Sequence, residues 1–432
     1  MSKLLIEGGH CLQGTITASG NKNAALALLP ACLLTDEPVI LHNVPDIQDV
    51  RTTLLILQSL GAEVTNLGPN SWQIWAKKIA TTELDPNLAG RIRASFIFSG
   101  PLLARMGQAK LPLPGGDVIG GRPLDTHVQG LEALGATVSL DPATNLFFIS
   151  ANPLRPAGYL LQAEASVTAT ENTLMAAVLA EGETIIDNAA SEPHVRDLCN
   201  FLNLCGAQIA GVGTNRLHIQ GVNRLHGAEF TIGADFMEVG SFIGAAAVTG
   251  GEIRIKQASP NDLAMVRLVY RRLGIDWLVE GEDVVVPAGQ SCQIERALGG
   301  RIPEIKPMPW PGFPADLMSI AVVLASQMNG SVLLHDWMYE SRFFFVDKLK
   351  FMGATIVLCD PHRVLVQGPS ALYANPQGVT SPDIRAGMAM VLAALCAKGT
   401  TTIHNIQQID RGYEQIEQKL RGLGANIERI EE

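Results

Sequence analysis

A glycine-rich stretch in the first third of the chain carries closely spaced charged residues. Residues 112–125 read PLPGGDVIGGRPLD, which places Asp117 between two glycine pairs, with Arg122 and Asp125 close behind. A carboxyl group can exchange protons in general acid–base catalysis, and the glycines would let the loop that carries it change conformation. Aspartate beside glycine is also an ordinary turn combination. The stretch therefore has two interpretations, a turn or a mobile catalytic loop.

Basic residues recur at the predicted starts of helices. They are Lys22 in SGNKNAALA, Arg93 in RIRASFIF, Arg385 in SPDIRAGMAM and Arg411 in IDRGYEQIE. A helix N-terminus carries partial positive charge, so a cation there is locally unfavourable. Together with backbone N–H groups, however, such cations form a strong anion-binding site. The pattern indicates an anion site; the alternative is that the arginines pair with neighbouring Asp383 or Asp410 on a solvated surface.

Other polar residues have simpler interpretations. Asp316 in PWPGFPADLMS precedes an apolar helix, where an N-cap is the plain alternative to a chemical role. Glu192 in SEPHV and Asp49 in IQDV are predicted to be ordinary cap or turn residues, and His127 a packed helical residue. The sequence contains no Walker A motif, no nucleophile elbow and no H-E-x-x-H motif.

The elements that position these residues recur six times. The recurring phrase, as in LEALGATV and KFMGATIV, contains a glycine at positions 61, 135, 206, 274, 353 and 424, at intervals of 68 to 79 residues. A fixed period of this size marks a repeated supersecondary unit. Each copy is predicted to contain a buried apolar helix, an amphipathic helix that ends at the left-handed glycine, and a β-hairpin.

The last copy is incomplete, which predicts the domain organisation. It ends after GANIERIEE without a return strand, and KLLIEGG at the N-terminus resembles the missing strand. We therefore predict α/β architecture in two domains of three repeats each. The first spans 22–232 and carries the catalytic loop 112–125; the second is discontinuous, from 1–21 and 233–432. A cleft between two such domains is a favoured place for a ligand.

Composition restricts the class of protein. The 432 residues are 47% hydrophobic and 17% charged, with a net charge of −10, which argues against nucleic acid and anionic membranes as partners. Seven cysteines without C-x-x-C or metal-ligand spacing predict buried thiols in a reducing compartment. Neither a signal peptide nor a membrane span is predicted. We expect a cytoplasmic protein; the sequence does not predict its oligomeric state.

Several segments resemble the UDP-N-acetylglucosamine enolpyruvyl transferases, a family of the EPSP synthase-like superfamily. They are SGNKNAAL, NVPDIQDV, LPGGDVIGGRPLDTHVQGLEALGA, PGFPADL, YESRF, DIRAG and IDRGYEQIEQKLRGLGANIERI. The resemblance implies two inside-out α/β-barrel domains with the active site in the cleft between them. It implies transfer of the enolpyruvyl group of phosphoenolpyruvate to the 3-hydroxyl of UDP-N-acetylglucosamine, with release of phosphate, in the first committed step of peptidoglycan synthesis. It implies no metal and no organic cofactor.

The resemblance also implies roles for individual residues. Residues at phosphoenolpyruvate-binding positions are Lys22, Arg122, Arg385 and Arg411. Residues at positions that contact the nucleotide sugar are Asn23, Arg93, Arg122, Pro123, Leu124, Asp125, Thr126, Ser166, Val167, Asp316 and Met338. The catalytic set is Lys22, Asp117, Asp316 and Arg411. Asp316 matches the residue that takes the hydroxyl proton, and desolvation in a closed cleft would raise its basicity.

The chain departs from the family pattern at several positions. Most members carry Cys where this sequence has Asp117, on a mobile lid near the C3 proton transfer, so we expect a raised pKa for Asp117 and insensitivity to fosfomycin, which alkylates that thiol. Glu164, Thr168 and Phe236 stand where Lys, Gly and Arg are usual. The acceptor therefore stays open: the alternatives are an enolpyruvyl transferase for another acceptor, or a non-catalytic paralogue that binds UDP-sugars.

Overall fold

A computed structural model describes residues 2–116, 121 and 123–431. Among these residues, 20–116 and 123–233 form one compact unit, called the first unit, and 2–19 and 234–431 form another, called the second unit. Each unit has its own hydrophobic core. The sequence predicts one domain of residues 22–232 and a second of residues 1–21 and 233–432. These limits refer to parts that fold independently, and they stay a prediction.

The chain opens with two strands of the second unit, β1 (Lys3–Glu7) and β2 (Gln13–Thr17). The first unit follows. Its strands are β3 (Val39–His42), β4 (Glu63–Gly68), β5 (Ser71–Trp75), β6 (Gln108–Pro112), β7 (Thr137–Asp141), β8 (Leu146–Ser150), β9 (Gly158–Leu161), β10 (Gly182–Asp187), β11 (Gln208–Ala210), β12 (Arg216–Gly221) and β13 (Glu229–Thr231). Its helices are α1 (Lys22–Ala31), α2 (Gln48–Ser59), α3 (Pro86–Ala89), α4 (Ser99–Met106), α5 (Asp125–Ala133), α6 (Val167–Ala177) and α7 (Pro193–Leu204). Short 3-10 segments occupy Cys32–Leu34 and Arg93–Phe98.

The second unit resumes after the first. Its remaining strands are β14 (Glu252–Lys256), β15 (Leu278–Glu280), β16 (Asp283–Val286), β17 (Glu304–Ile305), β18 (Gly330–His335), β19 (Thr355–Asp360), β20 (Arg363–Gly368), β21 (Val379–Thr380), β22 (Thr400–His404) and β23 (Asn426–Ile430). Its helices are α8 (Phe236–Thr249), α9 (Ala264–Arg272), α10 (Met318–Gln327), α11 (Val346–Phe351), α12 (Ile384–Cys396), α13 (Gln407–Asp410) and α14 (Ile416–Gly422). The 3-10 segments are Pro260–Leu263, Leu298–Gly300 and Ala315–Leu317.

Each unit combines three mixed sheets with a set of buried helices. The first unit has the strand orders β13-β3-β5-β4, β6-β8-β7 and β11-β12-β10-β9, and the second has β15-β16-β14-β2, β17-β18-β20-β19 and β21-β22-β1-β23. The apolar helices α1, α4 and α6 are buried inside the first unit, as α8, α10 and α12 are inside the second. This arrangement, with helices inside and sheets outside, confirms the predicted α/β fold of three repeats per unit. In the described part of the chain the sheets stay open and do not close into a barrel.

The repeat signals have direct structural counterparts. All six repeat glycines have φ between 82° and 104°, the left-handed conformation that ends the amphipathic helix of each copy. The predicted hairpins form as the antiparallel pairs β7–β8, β11–β12 and β19–β20. The prediction for the N-terminal strand is also confirmed, because β1 lies between β22 and β23 and pairs antiparallel with both.

The cysteines are all free thiols, and three of them are buried. Burial raises the pKa of the Cys199 thiol to about 12. The prediction of buried thiols is wrong for Cys11, which lies in the loop between β1 and β2, and for Cys359, which lies on the edge strand β19. Among the described residues, no helix has both the length and the apolar character that a membrane crossing requires.

Candidate active site

Lys22 is the first residue of α1 and is almost fully buried. The helix begins here because the Asn21 side chain caps it, accepting a hydrogen bond from Ala24 N at 3.0 Å. The Lys22 Nζ lies 3.0 Å from Asp49 Oδ2, in the first turn of α2, and both side chains are at most one-tenth exposed. Asn23, the next predicted ligand residue, is half-buried. Asp49 is therefore the partner of a site cation, a role that its interpretation as a cap or turn residue missed.

The loop 112–125, which the sequence predicts to be catalytic, is described only in part, and Asp117 and Arg122 lie outside the described residues. A Cβ on Gly115 would lie 1.8 Å from Gly90 O, and Gly116 has a φ of 112°. These two glycines are thus required by close packing and by backbone conformation. Arg93, which begins a 3-10 segment, lies against Gly116 and donates from Nη2 to Pro123 O at 3.5 Å.

The remaining predicted nucleotide-sugar residues of the first unit gather at the N-termini of α5 and α6. Leu124 precedes α5, Asp125 is its exposed first residue, and Thr126 is buried. Thr126 Oγ1 donates to Glu164 Oε1 at 3.3 Å. Ser166 caps α6 by accepting from Ala169 N at 3.5 Å, and half-buried Val167 follows. The structure therefore brings this group together, and Glu164, a departure from the family pattern, belongs to it.

His127 is a packed helical residue, as predicted. Asn172 accepts from Gly100 N through Oδ1 at 2.6 Å, so its Nδ2 is the donor that faces His127 Nδ1 at 3.2 Å. The imidazole proton is then on Nε2, which lies 3.0 Å from Thr168 Oγ1. Burial and, to a smaller extent, the charge of Arg93 together lower the pKa of His127 to about 3. Thr168, another departure, serves as the hydrogen-bond partner of this neutral ring.

In the second unit, Asp316 is held by two arginines. It lies in the 3-10 turn before α10, whose N-cap is Leu317 and has no side-chain cap hydrogen bond, so the interpretation of Asp316 as an N-cap is wrong. Its Oδ1 accepts from Arg342 Nη2 at 3.2 Å and its Oδ2 from Arg385 Nε at 2.9 Å. Two adjacent positive charges favour the ionised carboxylate and oppose the desolvation effect expected from the sequence.

Arg385 is the second residue of α12 and only 5% exposed. Asp383 caps this helix, accepting from Arg385 N and Ala386 N, so the guanidinium pairs with Asp316 and not with Asp383 on a solvated surface. Burial alone would lower the pKa of Arg385, but Asp316, Tyr413 and Asp235 together outweigh burial and the pKa is raised. Within the described residues, Arg385 Nη1 is buried without a hydrogen-bond partner. This guanidinium is ionised and has a donor left for an anion.

Arg342 and Asp336 belong to the same cluster and were missed as site residues. Arg342 is 2% exposed, and its Nε lies 3.5 Å from Oδ2 of the fully buried Asp336. Asp336 Oδ1 accepts from the backbone N–H groups of Met338 and Tyr339 at 3.0 and 3.1 Å. Met338, a predicted nucleotide-sugar residue, is thereby tied through Arg342 to Asp316. The quoted segment YESRF contains Arg342, but nothing local in the sequence indicates its partners.

Arg411 does not start a helix, and that prediction is wrong. It follows the short helix α13 at its C-cap, and α14 begins only at Ile416, after the turn at Gln415. A cation at a helix C-terminus is favoured by the helix dipole. Arg411 Nη1 donates to Gln408 Oε1 at 2.9 Å, whereas the neighbouring Asp410 pairs with Arg429.

Phe236, the third departure, is a core residue. It is 1% exposed at the start of α8, and its ring lies edge-on to Trp310 with 5.6 Å between ring centroids. An arginine here would bury its charge among apolar residues, which costs several kcal/mol, on the order of 3 or more, without a partner.

The two α/β units, with a buried cation held by a carboxylate at the start of a core helix in each, Lys22 in α1 and Arg385 in α12, define a protein of the enolpyruvyl transferase fold class. Comparison with known proteins identifies the family. The model for EPSP synthase (3-phosphoshikimate 1-carboxyvinyltransferase) matches residues 6–420, and the chain belongs to this family.

Full-length relatives and solved structures extend the comparison. The chain is 52% identical over 428 residues to a UDP-N-acetylglucosamine 1-carboxyvinyltransferase of Treponema denticola, covering 99% of both chains. It is 53% identical to the protein of that name from Bradyrhizobium diazoefficiens, covering 99% of this chain and 98% of the relative. Its fold matches the enolpyruvyl transferase NikO of Streptomyces tendae with a TM-score of 0.87 at 23% identity, over 99% and 98% of the two chains. It also matches an EPSP synthase of Acinetobacter baumannii with a TM-score of 0.73 at 18% identity, over the whole of both chains.

Proposed function

We propose that this protein is an enzyme that transfers the enolpyruvyl group of phosphoenolpyruvate to the 3-hydroxyl of UDP-N-acetylglucosamine. The sugar oxygen bonds to C2 while C3 takes a proton; loss of that proton and of inorganic phosphate then leaves the enolpyruvyl ether. The product commits the sugar nucleotide to peptidoglycan synthesis, and hence to cell-wall growth, cell shape and division. Full-length relatives at about half identity that carry this activity in their names support the proposal.

One observation of the structure carries the proposal furthest. Arg385 is buried and ionised, is held by Asp316 through Nε and lies over the Tyr413 ring, and its Nη1 has no hydrogen-bond partner among the described residues. A buried donor without a hydrogen-bond partner destabilises a protein by about 1–3 kcal/mol, and by more when it is charged. Such a donor is therefore expected where a bound ligand accepts its hydrogen bond. A ligand with a carboxylate and a phosphate, such as phosphoenolpyruvate, supplies the acceptor oxygens that such a group needs.

The proposed roles follow from the chemistry that the reaction requires. Lys22, Arg122, Arg385 and Arg411 hold the carboxylate and phosphate of phosphoenolpyruvate. Asp316 takes the proton of the sugar hydroxyl. Nucleotide-sugar contacts are proposed for Asn23, Arg93, Pro123, Leu124, Asp125, Thr126, Ser166, Val167 and Met338. No group in this set requires a metal or an organic cofactor to act.

Asp117 is proposed to be the acid that protonates C3, in place of the cysteine that most relatives of this kind carry. A carboxylic acid can donate this proton only while protonated, so the closed site must raise its pKa. Because the position lies outside the described residues, the proposal rests on the glycine-flanked sequence and the resemblance. We further propose that the enzyme acts in the cytoplasm, where phosphoenolpyruvate and nucleotide sugars are available.

The test is release of inorganic phosphate from phosphoenolpyruvate with each of several acceptors. We expect release with UDP-N-acetylglucosamine, and none without an acceptor or with shikimate 3-phosphate. Arg385→Gln should lower kcat/KM for phosphoenolpyruvate by about 100-fold, because it removes charge-assisted hydrogen bonds together worth about 3 kcal/mol.

Arg363→Gln is the matched control. This arginine of the second unit also pairs with a carboxylate, Asp360, but is half exposed, so its loss should leave the kinetics unchanged. Release with another acceptor alone would favour a different enolpyruvyl transferase. No release with any acceptor, together with binding of UDP-sugars, would favour the non-catalytic paralogue.

A further inference from the structure

The ion pair between Lys22 and Asp49 has properties of a preorganised catalytic arrangement. The two charged atoms are 3.0 Å apart, and the side chains are 10% and 5% exposed. The residues come from different helices, α1 and α2, and are separated by a strand in the chain. A buried pair of this kind is costly to desolvate and is weak evidence for stability, so a role in function has to be considered.

The local structure explains why the carboxylate comes from position 49. Lys22 stands at the positive end of α1, where the helix dipole disfavours an ammonium group. Asp49 stands in the first turn of α2, where the dipole of that helix stabilises a carboxylate. The second helix thus supplies a well-stabilised anion that compensates the unfavourable position of the cation.

The loops that precede the two helices are in direct backbone contact. A Cβ on Gly20 would lie 1.7 Å from Asn43 O, so the chain before Lys22 packs tightly on the chain that leads to Asp49. Asn43 is itself anchored, because its Nδ2 donates to Ile232 O at 3.0 Å. The distance between the two charged residues is therefore set by backbone packing and not only by their mutual attraction.

We propose that Asp49 is a positioning residue for Lys22: it keeps the ammonium group directed in the ligand-free protein, ready for the anion of phosphoenolpyruvate. This inference rests on the proposed function of Lys22. Without Asp49, the buried ammonium loses its counter-charge and is free to adopt other rotamers, so the ligand must bear the cost of ordering it. The effect should fall on phosphoenolpyruvate and not on the nucleotide sugar.

The experiment compares Asp49→Asn, Asp49→Glu and Asp46→Asn with the wild-type protein. Asp46 is the matched control, because it lies three residues away and pairs with Arg51 on the surface. For Asp49→Asn we expect KM for phosphoenolpyruvate to rise at least 10-fold, kcat to change less than 3-fold and KM for UDP-N-acetylglucosamine to change less than 2-fold. Asp49→Glu should recover most of the lost affinity, and Asp46→Asn should match the wild type.

Three outcomes overturn the inference. The first is an unchanged KM for phosphoenolpyruvate in Asp49→Asn, and the second is an equal rise in the KM values for both substrates. The third is that Asp49→Glu recovers no affinity although both variants melt like the wild type. Calorimetry with phosphoenolpyruvate alone separates this inference from the proposed function. A wild type that turns over no acceptor refutes the proposed function; if it still binds phosphoenolpyruvate 10-fold more tightly than Asp49→Asn, the role of Asp49 stands. If Asp49→Asn does not fold, the inference is tested with Asp49→Glu alone, by comparing its KM values for phosphoenolpyruvate and for UDP-N-acetylglucosamine with those of the wild type.

Discussion

Acidification is expected to destabilise the first unit through His127, whose imidazole the structure holds in its neutral form. A proton on Nδ1 would face the Asn172 amide group, which already donates to that nitrogen. The amide cannot rotate to present its oxygen without losing the hydrogen bond from Gly100 N. Burial and the nearby charge of Arg93 oppose the imidazolium further. Protonation therefore requires the packing between α5 and α6 to open.

The size of the effect follows from the two pKa values of this residue. The pKa of His127 is about 3 in the folded protein, against an ordinary value of 6.5. Between these values the unfolded chain binds more protons than the folded one, so stability increases with pH and is lost as the pH falls from 6.5 towards 3. One pKa unit corresponds to about 1.4 kcal/mol, which gives a loss of about 2 kcal/mol from this group between pH 7.5 and pH 5.

Urea unfolding at pH 7.5 and pH 5 measures this loss. The variant His127→Gln removes the titrating group, so its stability should fall by about 2 kcal/mol less than that of the wild type over the same interval. His10→Gln is the control, because it replaces a histidine that is about half exposed. Equal losses in the wild type and His127→Gln would show that the buried imidazole is not responsible. An imidazole NMR signal of His127 that titrates above pH 5 would refute the reasoning directly.

Two further predictions concern charged residues. Fosfomycin should leave no covalent adduct at position 117, because Asp117 offers no thiol, and Asp117→Cys should gain both the adduct and the inactivation, as mass spectrometry and activity after preincubation will show. Asp336→Asn should destabilise the second unit by about 3 kcal/mol in urea unfolding, because it leaves the Arg342 guanidinium buried with less counter-charge. The variant Asp360→Asn, at a surface ion pair, should change stability by less than about 1 kcal/mol. An equal loss of stability in both variants would contradict the role of Asp336 as a counter-charge of Arg342.

The fold could be predicted from the sequence because its signals are local and repeated. A glycine that ends a helix needs a positive φ whatever surrounds it, and the same requirement recurs in all six copies. The N-terminal strand is predicted by the same logic, because the last copy lacks a return strand and KLLIEGG resembles the return strands of the other copies. Strand bounds and the closure of the sheets depend on packing between distant segments, which the repeat pattern does not contain.

The candidate site was predictable only as far as residue types and the family resemblance reach. The sequence singles out Lys22, Asp316 and Arg385 as candidates but does not indicate their partners, because the ion pairs join segments far apart in the chain: Arg385 and Asp316 are 69 residues apart. Arg411 was misplaced because IDRGYEQIE reads as one helix start, whereas the chain forms a turn at Gln415, with φ of 45°, before the next helix begins.

The pairing of site cations with carboxylates determines how an anionic ligand must bind. A phosphoenolpyruvate oxygen that reaches Arg385 competes with Asp316 for the guanidinium, so binding exchanges one ion pair for another and gains less than the full Coulomb energy. The gain lies in preorganisation, because the cation is already buried and directed. The negative charge of the ligand offsets part of the positive charge of Arg385, so the carboxylate of Asp316 is stabilised less and accepts a proton more readily. In the proposed reaction, bound phosphoenolpyruvate would thus make the base stronger when the sugar hydroxyl must be deprotonated.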